Sequence, residues 1–338
     1  MDYIGSKKTL VPWINSTIND IVGADLTDKI FCDIFAGTNV VGSSIKKRVK
    51  KVISNDLESY SFVLGKNYIG NHLEIKDKSK YIEELNNLDP IYTGFIYQNY
   101  CLGSDSGRQY FTDANGQKID AIRKKINQWY ATETISDNLY YFLLASLIES
   151  ADKVANTVSV YGAFLKHLKK RANKEFVLKE AKFVLNSNNH EVYQENANDL
   201  IKKITGNILY LDPPYNRRQY GANYHLLNTI AEYNDFKPIG KTGLREYTPS
   251  DYCKKTKAAD TLEDLVQNAN FEYIFLSYNN EGIINNNEIK SIMKKYGTYH
   301  LKSKNYQRFN TIKGRNSQVK EHIHILKKTK MKHLLKVS

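Results

Sequence analysis

The chain has 338 residues, enough for one large domain or for a core with a substantial insertion, and its content of 41% hydrophobic and 25% charged residues is ordinary for a soluble globular protein. It contains no apolar run long enough to cross a bilayer, no apolar signal core near Met1, and only three widely spaced cysteines, so we expect a reducing cytoplasm, no disulfide framework and no zinc site. The net charge of +13 favours a nucleic acid as partner, although a lysine-rich coding sequence would give the same value.

Short β-rich runs alternate with helical stretches along the chain. This pattern predicts an α/β protein with a mostly parallel, doubly wound sheet that ends in an antiparallel strand. The runs are Lys29–Phe35, Lys51–Asn55, Glu191–Glu195, Asn207–Leu211, Phe271–Ser277, Thr298–Lys302 and His322–Lys327. Functional residues of such sheets gather at the carboxyl ends of the strands, so the turns after these runs are the first candidates for a site.

A long segment of different character separates the second run from the third. Ile119–Tyr130 and Asn138–Val154 are predicted helices, and the apolar face of the second predicts helix packing. Gly103–Gln117 is rich in Gly, Ser, Asp and Asn and predicts an exposed loop, whereas Lys166–Arg171 is strongly basic. The predicted division is a catalytic core of residues 1–65 and 186–338 and a mostly helical insertion of residues 66–185.

The most specific motif is Asp212-Pro213-Pro214-Tyr215, which follows the fourth run. Two prolines end a strand and fix the backbone, so they hold the flanking carboxylate and ring rigidly at the edge of the sheet. The Asp212 carboxylate and the Pro213 carbonyl are two acceptors suited to the N–H bonds of an aromatic amine whose lone pair must be freed. Tyr215 can stack on an extruded base. A proline turn with Tyr215 packed on the core is the alternative.

A glycine-containing turn within Asp33–Gly42 lies between a predicted strand and a predicted helix, where backbone can approach a nucleotide-like ligand. The turn lacks the three-glycine spacing of dinucleotide-binding enzymes. About 20 residues further on, Asn55 and Asp56 end the second run, where a carboxylate would meet ribose hydroxyls. Alternatively, Asp56 caps a helix.

The order of these motifs resembles that of the alpha-class (D12-type, Dam-like) N6-adenine-specific DNA methyltransferases, from Tyr3 to about Lys328. The resemblance implies a Rossmann-like class I methyltransferase fold, S-adenosylmethionine as cofactor, no metal, and methyl transfer to N6 of an adenine flipped out of duplex DNA. Asp212, Pro213, Pro214 and Tyr215 match the family's catalytic motif. The implied cofactor-binding residues are Tyr3, Ile4, Gly5, Lys7, Phe35, Ala36, Gly37, Thr38, Asn39, Asp56, Leu57, Asn198, Asp199 and Asp212.

Two of the implied cofactor residues have a second interpretation. Asn39 stands where the family usually has glycine, and asparagine tolerates a positive φ better than other residues with a side chain, so the turn can survive. Lys7 could instead be a solvated surface lysine, as isolated lysines usually are.

By the same resemblance, residues 66–185 form the target-recognition domain. The candidate DNA-binding residues are Arg108, Lys169, Arg171, Arg217, Arg218, Tyr220, Asn223, Lys241, Arg245 and Arg308. Further basic residues in suggestive places are Arg123, Lys124, Lys125, Lys170 and Lys237. Tyr306 and Phe309 either line the base pocket or pack in the core, and most basic side chains of such a domain contact phosphate or water.

The expected partner is double-stranded DNA, and the expected location is the bacterial cytoplasm or nucleoid. The chain would be the modification enzyme of a restriction–modification system or an orphan or phage methylase. A cognate restriction endonuclease would act separately, and a monomer is favoured over an oligomer. The alternatives are an RNA N6-adenine methyltransferase, an N4-cytosine methyltransferase, and a DNA-binding protein on an inactive methyltransferase scaffold.

Overall fold

The computed structural model describes residues 5–307 and 318–329. The strands are β1 (Ile30–Asp33), β2 (Lys51–Asn55), β3 (Glu191–Tyr193), β4 (Thr205–Leu211), β5 (Asn270–Asn279), β6 (Gly297–Gln307) and β7 (Gln318–Lys328). The α-helices are α1 (Val11–Val22), α2 (Val40–Ile45), α3 (Ser59–Gly65), α4 (Lys78–Asn86), α5 (Phe95–Tyr100), α6 (Asp113–Ala131), α7 (Asp137–Val154), α8 (Ala197–Leu200), α9 (Tyr220–Asn223), α10 (His225–Glu232), α11 (Ala258–Asn268) and α12 (Asn286–Lys294).

The seven strands form one sheet in the order β3-β2-β1-β4-β5-β7-β6. The first five strands in this order are mutually parallel, and β7 runs antiparallel to both of its neighbours. The predicted fold, a mostly parallel sheet with an antiparallel C-terminal strand, is therefore confirmed. The chain winds from β1 towards β3 on one side and from β4 towards β5 on the other. A crevice consequently opens at the carboxyl ends of β1 and β4, the adjacent strands where the winding reverses.

Alternation along β4 anchors the strand in two separate cores. Leu209 and Leu211 are fully buried on one face of the sheet, which α8, α11 and α12 cover. Ile208 and Tyr210 are buried on the opposite face, which α1 and α2 cover. Successive side chains of a strand point to opposite faces, so a run that is apolar throughout belongs in a sheet that is covered on both sides. This anchoring fixes the position of Asp212, the residue after β4.

A third core lies among the helices of the predicted insertion. Helices α4 to α7 all fall within residues 66–185, which is the helical character that the sequence indicates. The same core also contains Tyr60 and Leu64 of α3 and Leu226 and Leu227 of α10. The helical layer is thus packed directly against segments that lead into and out of the sheet, and the domain boundaries remain predictions.

Within the described residues, every helix is too short or too polar to span a membrane.

The predicted exposed loop Gly103–Gln117 is corrected in its second half. Tyr110 and Phe111 are fully buried, and α6 begins at Asp113, six residues before the predicted helix start at Ile119. The side chain of Thr112 accepts a hydrogen bond from the backbone N–H of Asn115 and so caps α6. Such a cap satisfies a donor that the first turn of a helix leaves unpaired, and it outweighs the polar composition from which the loop was predicted.

Candidate active site

A cavity of about 610 Å³ lies at the carboxyl edge of the sheet, in the crevice beside β1 and β4. Its wall includes Phe35–Thr38 after β1, Asn55–Glu58 after β2, Ala197–Asp199 of α8, and Asp212 with Pro214 after β4. This volume lies within the range of small-molecule and cofactor sites. The structure therefore brings the motifs of four separate chain segments to one cavity.

The turn after β1 has the backbone conformation that its sequence predicts. Gly37 has φ of 51° and Asn39 has φ of 59°, both in the left-handed region. The Nδ2 of Asn39 donates to the carbonyl of Ser61 at 3.1 Å, and its Oδ1 accepts from Ser54 Oγ at 2.6 Å. Asn39 is buried behind the turn and does not line the cavity. Its side chain stabilises the turn, while Phe35, Ala36, Gly37 and Thr38 form the cavity surface.

Asp56 closes one end of the cavity from the tip of β2. Its Oδ2 accepts from the backbone N–H of Gly37 at 2.7 Å, and its Oδ1 accepts from that of Glu58 at 3.0 Å. Burial raises the pKa of the Asp56 carboxyl, and these hydrogen bonds, which favour the charged form, limit the rise. Asp56 thus links the turns after β1 and β2 and also lines the cavity, as does Leu57.

The α8 residues predicted to bind a cofactor have different environments. Asp199 is exposed and lines the cavity mouth. The Asn198 carboxamide donates to Asp264 at 2.7 Å and to the Thr261 carbonyl at 2.9 Å, and it accepts from the Tyr252 hydroxyl at 2.8 Å. Asn198 is therefore bound within the wall, where it fixes Tyr252.

Tyr252 faces Phe35 across the cavity wall. The two rings form an edge-to-face pair with centroids 5.1 Å apart, and both residues line the cavity. Tyr252 belongs to a short 3-10 helix, Asp251–Cys253. This aromatic corner was missed at the sequence level because a lone tyrosine in a loop gives no periodic signal.

Lys7 meets two carboxylates at the end of the cavity beside β4. Its Nζ lies 3.1 Å from Asp212 Oδ1 and 2.9 Å from Glu321 Oε1. Only 5% of the surface of Lys7 is exposed, which rules out the solvated surface lysine. The ammonium also lies 5.9 Å from the centroid of the Tyr215 ring. Lys7 therefore contacts Asp212–Tyr215, which we term the reaction motif. Its second partner, Glu321 on β7, was not identified from the sequence.

Burial and close charges shift the acidities at this end of the cavity. Burial raises the pKa of Asp212 to about 6, with Lys7 opposing the rise and Glu321 adding to it. Burial, the Asp212 charge and the Asp56 charge raise the pKa of Asp33 to about 8, and Asp33 Oδ1 has no hydrogen-bond partner among the described residues. Burial disfavours the Lys7 ammonium, but attraction by Asp212 and Glu321 prevails and raises its pKa well above the usual value. At neutral pH the pair is Lys7⁺–Asp212⁻, beside a protonated Asp33.

The Tyr215 side of the motif is held by close backbone packing. The carbonyl of Tyr215 accepts from the N–H of Ile283 at 2.9 Å, which ties the motif to the loop after β5. Gly5 has φ of 78°, and a Cβ at this position would lie 3.2 Å from the Tyr220 hydroxyl and 3.6 Å from the Tyr215 hydroxyl. The positive φ favours glycine here, and the absence of a side chain lets the N-terminal segment pass close to the two tyrosine hydroxyls.

Residues 3–292 match the family described as "D12 class N6 adenine-specific DNA methyltransferase". The chain belongs to this family. The Type II methyltransferase M.NlaIII of Neisseria lactamica is 54% identical over 334 residues, which cover 97% of this chain and 100% of that relative. The Type II methyltransferase M.CviAII of Paramecium bursaria Chlorella virus 1 is 36% identical, with 91% and 92% covered, and M.FokI of Planomicrobium okeanokoites is 37% identical, with 97% and 53% covered.

Among solved structures, one described as a putative SAM-dependent methyltransferase from Streptococcus mutans aligns with a TM-score of 0.37 at 9% identity, covering 94% of this chain and 48% of that one. This likeness is too distant to define the fold of this D12-class enzyme. The fold is defined by the strand order of the sheet.

Several of the candidate DNA-binding residues of this methyltransferase are held inside the structure. Arg245 is 9% exposed and forms an ion pair with Glu232, so its predicted DNA contact is corrected. Arg123 is buried too, with its guanidinium on the carbonyls at the end of α10. Arg108 donates to the carbonyls of Asn99 at 3.2 Å and Gly240 at 3.1 Å, and Lys169 donates to that of Thr157. These four side chains bind backbone carbonyls or a carboxylate, and those contacts compete with binding to DNA phosphates.

Other candidates remain available on the surface. Arg217, Arg218, Lys237 and Lys241 are exposed, Arg171, Tyr220 and Asn223 are half-buried, and Tyr220 lines the cavity. Tyr3, Ile4, Arg308 and Phe309 lie outside the described residues, as does the side chain of Tyr306.

The exposed basic segment around Lys166 reaches the vicinity of the reaction motif through α9. The N–H of Tyr161 donates to the carbonyl of Asn223 at 2.7 Å, so the loop that carries Lys166 and Lys170 packs against the helix that follows the motif. Arg217 and Arg218 lie between that helix and Tyr215 in the sequence.

Proposed function

We propose that this chain transfers the methyl group of S-adenosylmethionine to N6 of an adenine flipped out of duplex DNA, as the modification enzyme of a restriction–modification system. The observation that carries the proposal is the placement of Asp212, ion-paired to Lys7 and followed by the rigid Pro213-Pro214-Tyr215, at the inner end of the cavity. An oriented acceptor beside a cofactor-sized cavity is what attack by a poorly nucleophilic amine needs.

The charge of the cavity wall fits a cationic cofactor. Nine acidic residues and three lysines line the cavity, in a protein whose net charge is +13. S-adenosylmethionine carries a sulfonium, an ammonium and a carboxylate group and is therefore a net cation, and when bound it supplies an electrophilic methyl group. A dinucleotide carries two negative phosphates, which this acidic wall would repel. The wall therefore favours the sulfonium cofactor, whereas the basic exterior suits DNA.

Three parts of the cavity wall would hold the cofactor. Asp56, fixed by the N–H groups of Gly37 and Glu58, is placed to accept from ribose hydroxyls. Phe35 and Tyr252 form an apolar corner suited to the adenine ring, and the exposed Asp199 can accept from its amine. These assignments follow the chemistry of the side chains that face the cavity.

Asp212 and its neighbours would act on the target amine. With a pKa of about 6, Asp212 is ionised at neutral pH and accepts from one N–H of the adenine amine, while the carbonyl of Pro213 accepts from the other. Both contacts strengthen as positive charge develops on nitrogen during methyl transfer. Tyr215, half-buried beside Gly5, offers a ring on which the extruded base can stack.

The exposed cations beside this site would bind the DNA backbone. Arg217, Arg218 and Lys241 are the predicted DNA contacts that the structure leaves exposed, and Lys166 and Lys170 extend the same basic region. Relatives named as Type II methyltransferases support a role in restriction–modification, with a cognate endonuclease acting separately. We place the enzyme in the bacterial cytoplasm or nucleoid.

The test is methyl transfer from radiolabelled S-adenosylmethionine to duplex DNA, followed by hydrolysis and identification of the labelled base. We expect N6-methyladenine, and we expect Asp212→Ala to abolish transfer while DNA binding stays detectable. Asp28→Ala, a change at an exposed aspartate just before β1 and at the opposite end of that strand from the cavity, is the matched control and should keep full activity. Label in N4-methylcytosine, label in RNA alone, or undiminished activity of Asp212→Ala would each overturn the proposal.

A further inference from the structure

Glu321 occupies an unusual position for a charged residue. It lies within β7, is only 5% exposed, and pairs in register with Asn279 of β5 and Lys304 of β6. Its Oε1 accepts from Lys7 Nζ at 2.9 Å and from Ser277 Oγ at 2.9 Å. Burial of a carboxylate is unfavourable unless it is paired and hydrogen-bonded. Ser277 supplies one hydrogen bond to Glu321, and Lys7 supplies the opposite charge.

Lys7 divides its charge between two carboxylates. Its Nζ is 0.2 Å closer to Glu321 Oε1, at 2.9 Å, than to Asp212 Oδ1, at 3.1 Å. A buried ammonium that faced Asp212 alone would concentrate its field on the very oxygens that must accept from the substrate amine. Because low-dielectric surroundings strengthen such a field, the second carboxylate has a large effect on how strongly Lys7 polarises Asp212.

We propose that Glu321 is a positioning residue for methyl transfer. It holds the Lys7 ammonium at the edge of Asp212 and neutralises it, so that Asp212 stays a strong acceptor for the target amine. Glu321 touches neither cofactor nor base in this role and acts through Lys7. The inference rests on the proposed function, because it assigns Asp212 to the amine.

The electrostatics of the surrounding elements agree with this geometry. Among the described residues, the titratable and charged groups of this cluster include Lys7, Asp212, Tyr210 and Tyr215, with Lys304, Lys320 and His322 on β6 and β7. The Glu321 charge raises the pKa of Asp212 and opposes the lowering that Lys7 causes. Burial and Lys320 lower the pKa of His322, although Glu321 raises it. The ring nitrogens of His322 form hydrogen bonds with Asn286 and Ser303, so His322 does not replace Lys7 as the partner of Glu321. Loss of the Glu321 charge would leave Lys7 unopposed, and the pKa of Asp212 would fall.

Glu321→Gln tests the inference because it keeps the shape and an oxygen for Lys7 and Ser277 while removing the charge. We expect the single-turnover rate of methyl transfer to fall roughly tenfold at neutral pH. This loss is smaller than the one that follows deletion of a preorganised active-site dipole, which is on the order of 10²-fold. We also expect the acid limb of the rate–pH profile to move to lower pH, with unchanged dissociation constants for DNA and cofactor. Glu272→Gln, an exposed glutamate at the far end of the same sheet, is the control.

Two further variants make the result decisive. Glu321→Asp keeps the charge and should keep the wild-type acid limb, which also covers the case in which the glutamine variant does not fold. In a Lys7→Met background, Glu321→Gln should cause no further loss of rate, since both changes act on one interaction. A wild-type rate and acid limb in Glu321→Gln, a shifted limb in Glu321→Asp, or equal losses in both backgrounds would overturn the inference. Failure of the wild-type protein to methylate adenine would instead overturn the proposed function.

Discussion

Asn39 holds the left-handed turn of the cofactor cavity by accepting a hydrogen bond from Ser54 on the neighbouring strand, with 2.6 Å between Asn39 Oδ1 and Ser54 Oγ. The resemblance in the sequence places Asn39 where glycine is usual, and its φ is 59°. Glycine adopts this φ freely, whereas asparagine adopts it at some expense in conformational energy. Asn39 recovers that energy through its buried hydrogen bonds to Ser54 and Ser61. The departure from the family pattern is thus a local exchange of backbone freedom for side-chain hydrogen bonds.

The first prediction compares Asn39→Gly with Asn39→Ala. Both changes leave Ser54 Oγ buried without this acceptor, and an unsatisfied buried group destabilises by about 1–3 kcal/mol. Alanine additionally suffers the left-handed φ, so Asn39→Ala should lower the free energy of unfolding by about 1 kcal/mol more than Asn39→Gly. Glu133→Gly is the control: Glu133 has φ of 54° but is exposed, so glycine there should stabilise slightly. Urea unfolding measures all three, and equal stabilisation by both glycine variants would contradict this account.

The second prediction concerns Asp33, whose pKa of about 8 lies well above that of an aspartate in the unfolded chain. Between roughly pH 4, the unfolded value, and pH 8 the folded protein holds a proton that the unfolded chain has lost. Stability conferred by that site therefore falls as pH rises through this window. Asp33→Asn removes the titration. The free energy of unfolding of this variant minus that of the wild type should therefore be roughly 2 kcal/mol larger at pH 9 than at pH 6.

Urea unfolding at the two pH values checks the Asp33 prediction. Asp105→Asn, an exposed aspartate, supplies the control and should track wild type at both. A difference between Asp33→Asn and wild type that does not change with pH would show that Asp33 is ionised in the folded protein.

The third prediction tests whether Arg123 stabilises the fold. Arg123 Nε donates to the carbonyl of Ile230 at 2.7 Å, and an Nη donates to that of Ala231 at 2.7 Å, so the guanidinium caps the last turn of α10. Arg123→Ala would leave two buried carbonyls unpaired and a void in the helical core. We expect a loss of about 2–4 kcal/mol in the free energy of unfolding, from the unpaired carbonyls and the void. Lys124→Ala, one residue along and exposed, should change stability by less than about 0.5 kcal/mol. Thermal unfolding distinguishes the two, and similar values would contradict the capping role.

The sequence predicted the local elements of the fold far better than the contacts between them. β2 spans Lys51–Asn55 as predicted, because a short apolar run flanked by polar residues defines a strand locally. Gly103–Gln117 was predicted wrongly where one capping threonine decided the helix start. The partnership of Lys7 with Glu321 joins opposite ends of the chain, and no local pattern encodes it. Arg245 carried the right charge for DNA, yet only packing against Glu232 determined that its guanidinium is buried.

The last prediction uses salt to identify the residues that contact phosphate. Arg217 and Arg218 are exposed beside the reaction motif, so each alanine variant should weaken DNA binding on all sequences alike and reduce the slope of log Kd against log salt by about one. Arg245→Ala removes the same charge from a buried ion pair with Glu232. That variant should lose stability but keep the wild-type salt slope, because its guanidinium displaces no counterion from DNA. Fluorescence anisotropy over a salt series measures the slopes. A reduced slope in Arg245→Ala, or unchanged slopes in both exposed variants, would move the DNA interface away from the region beside Tyr215.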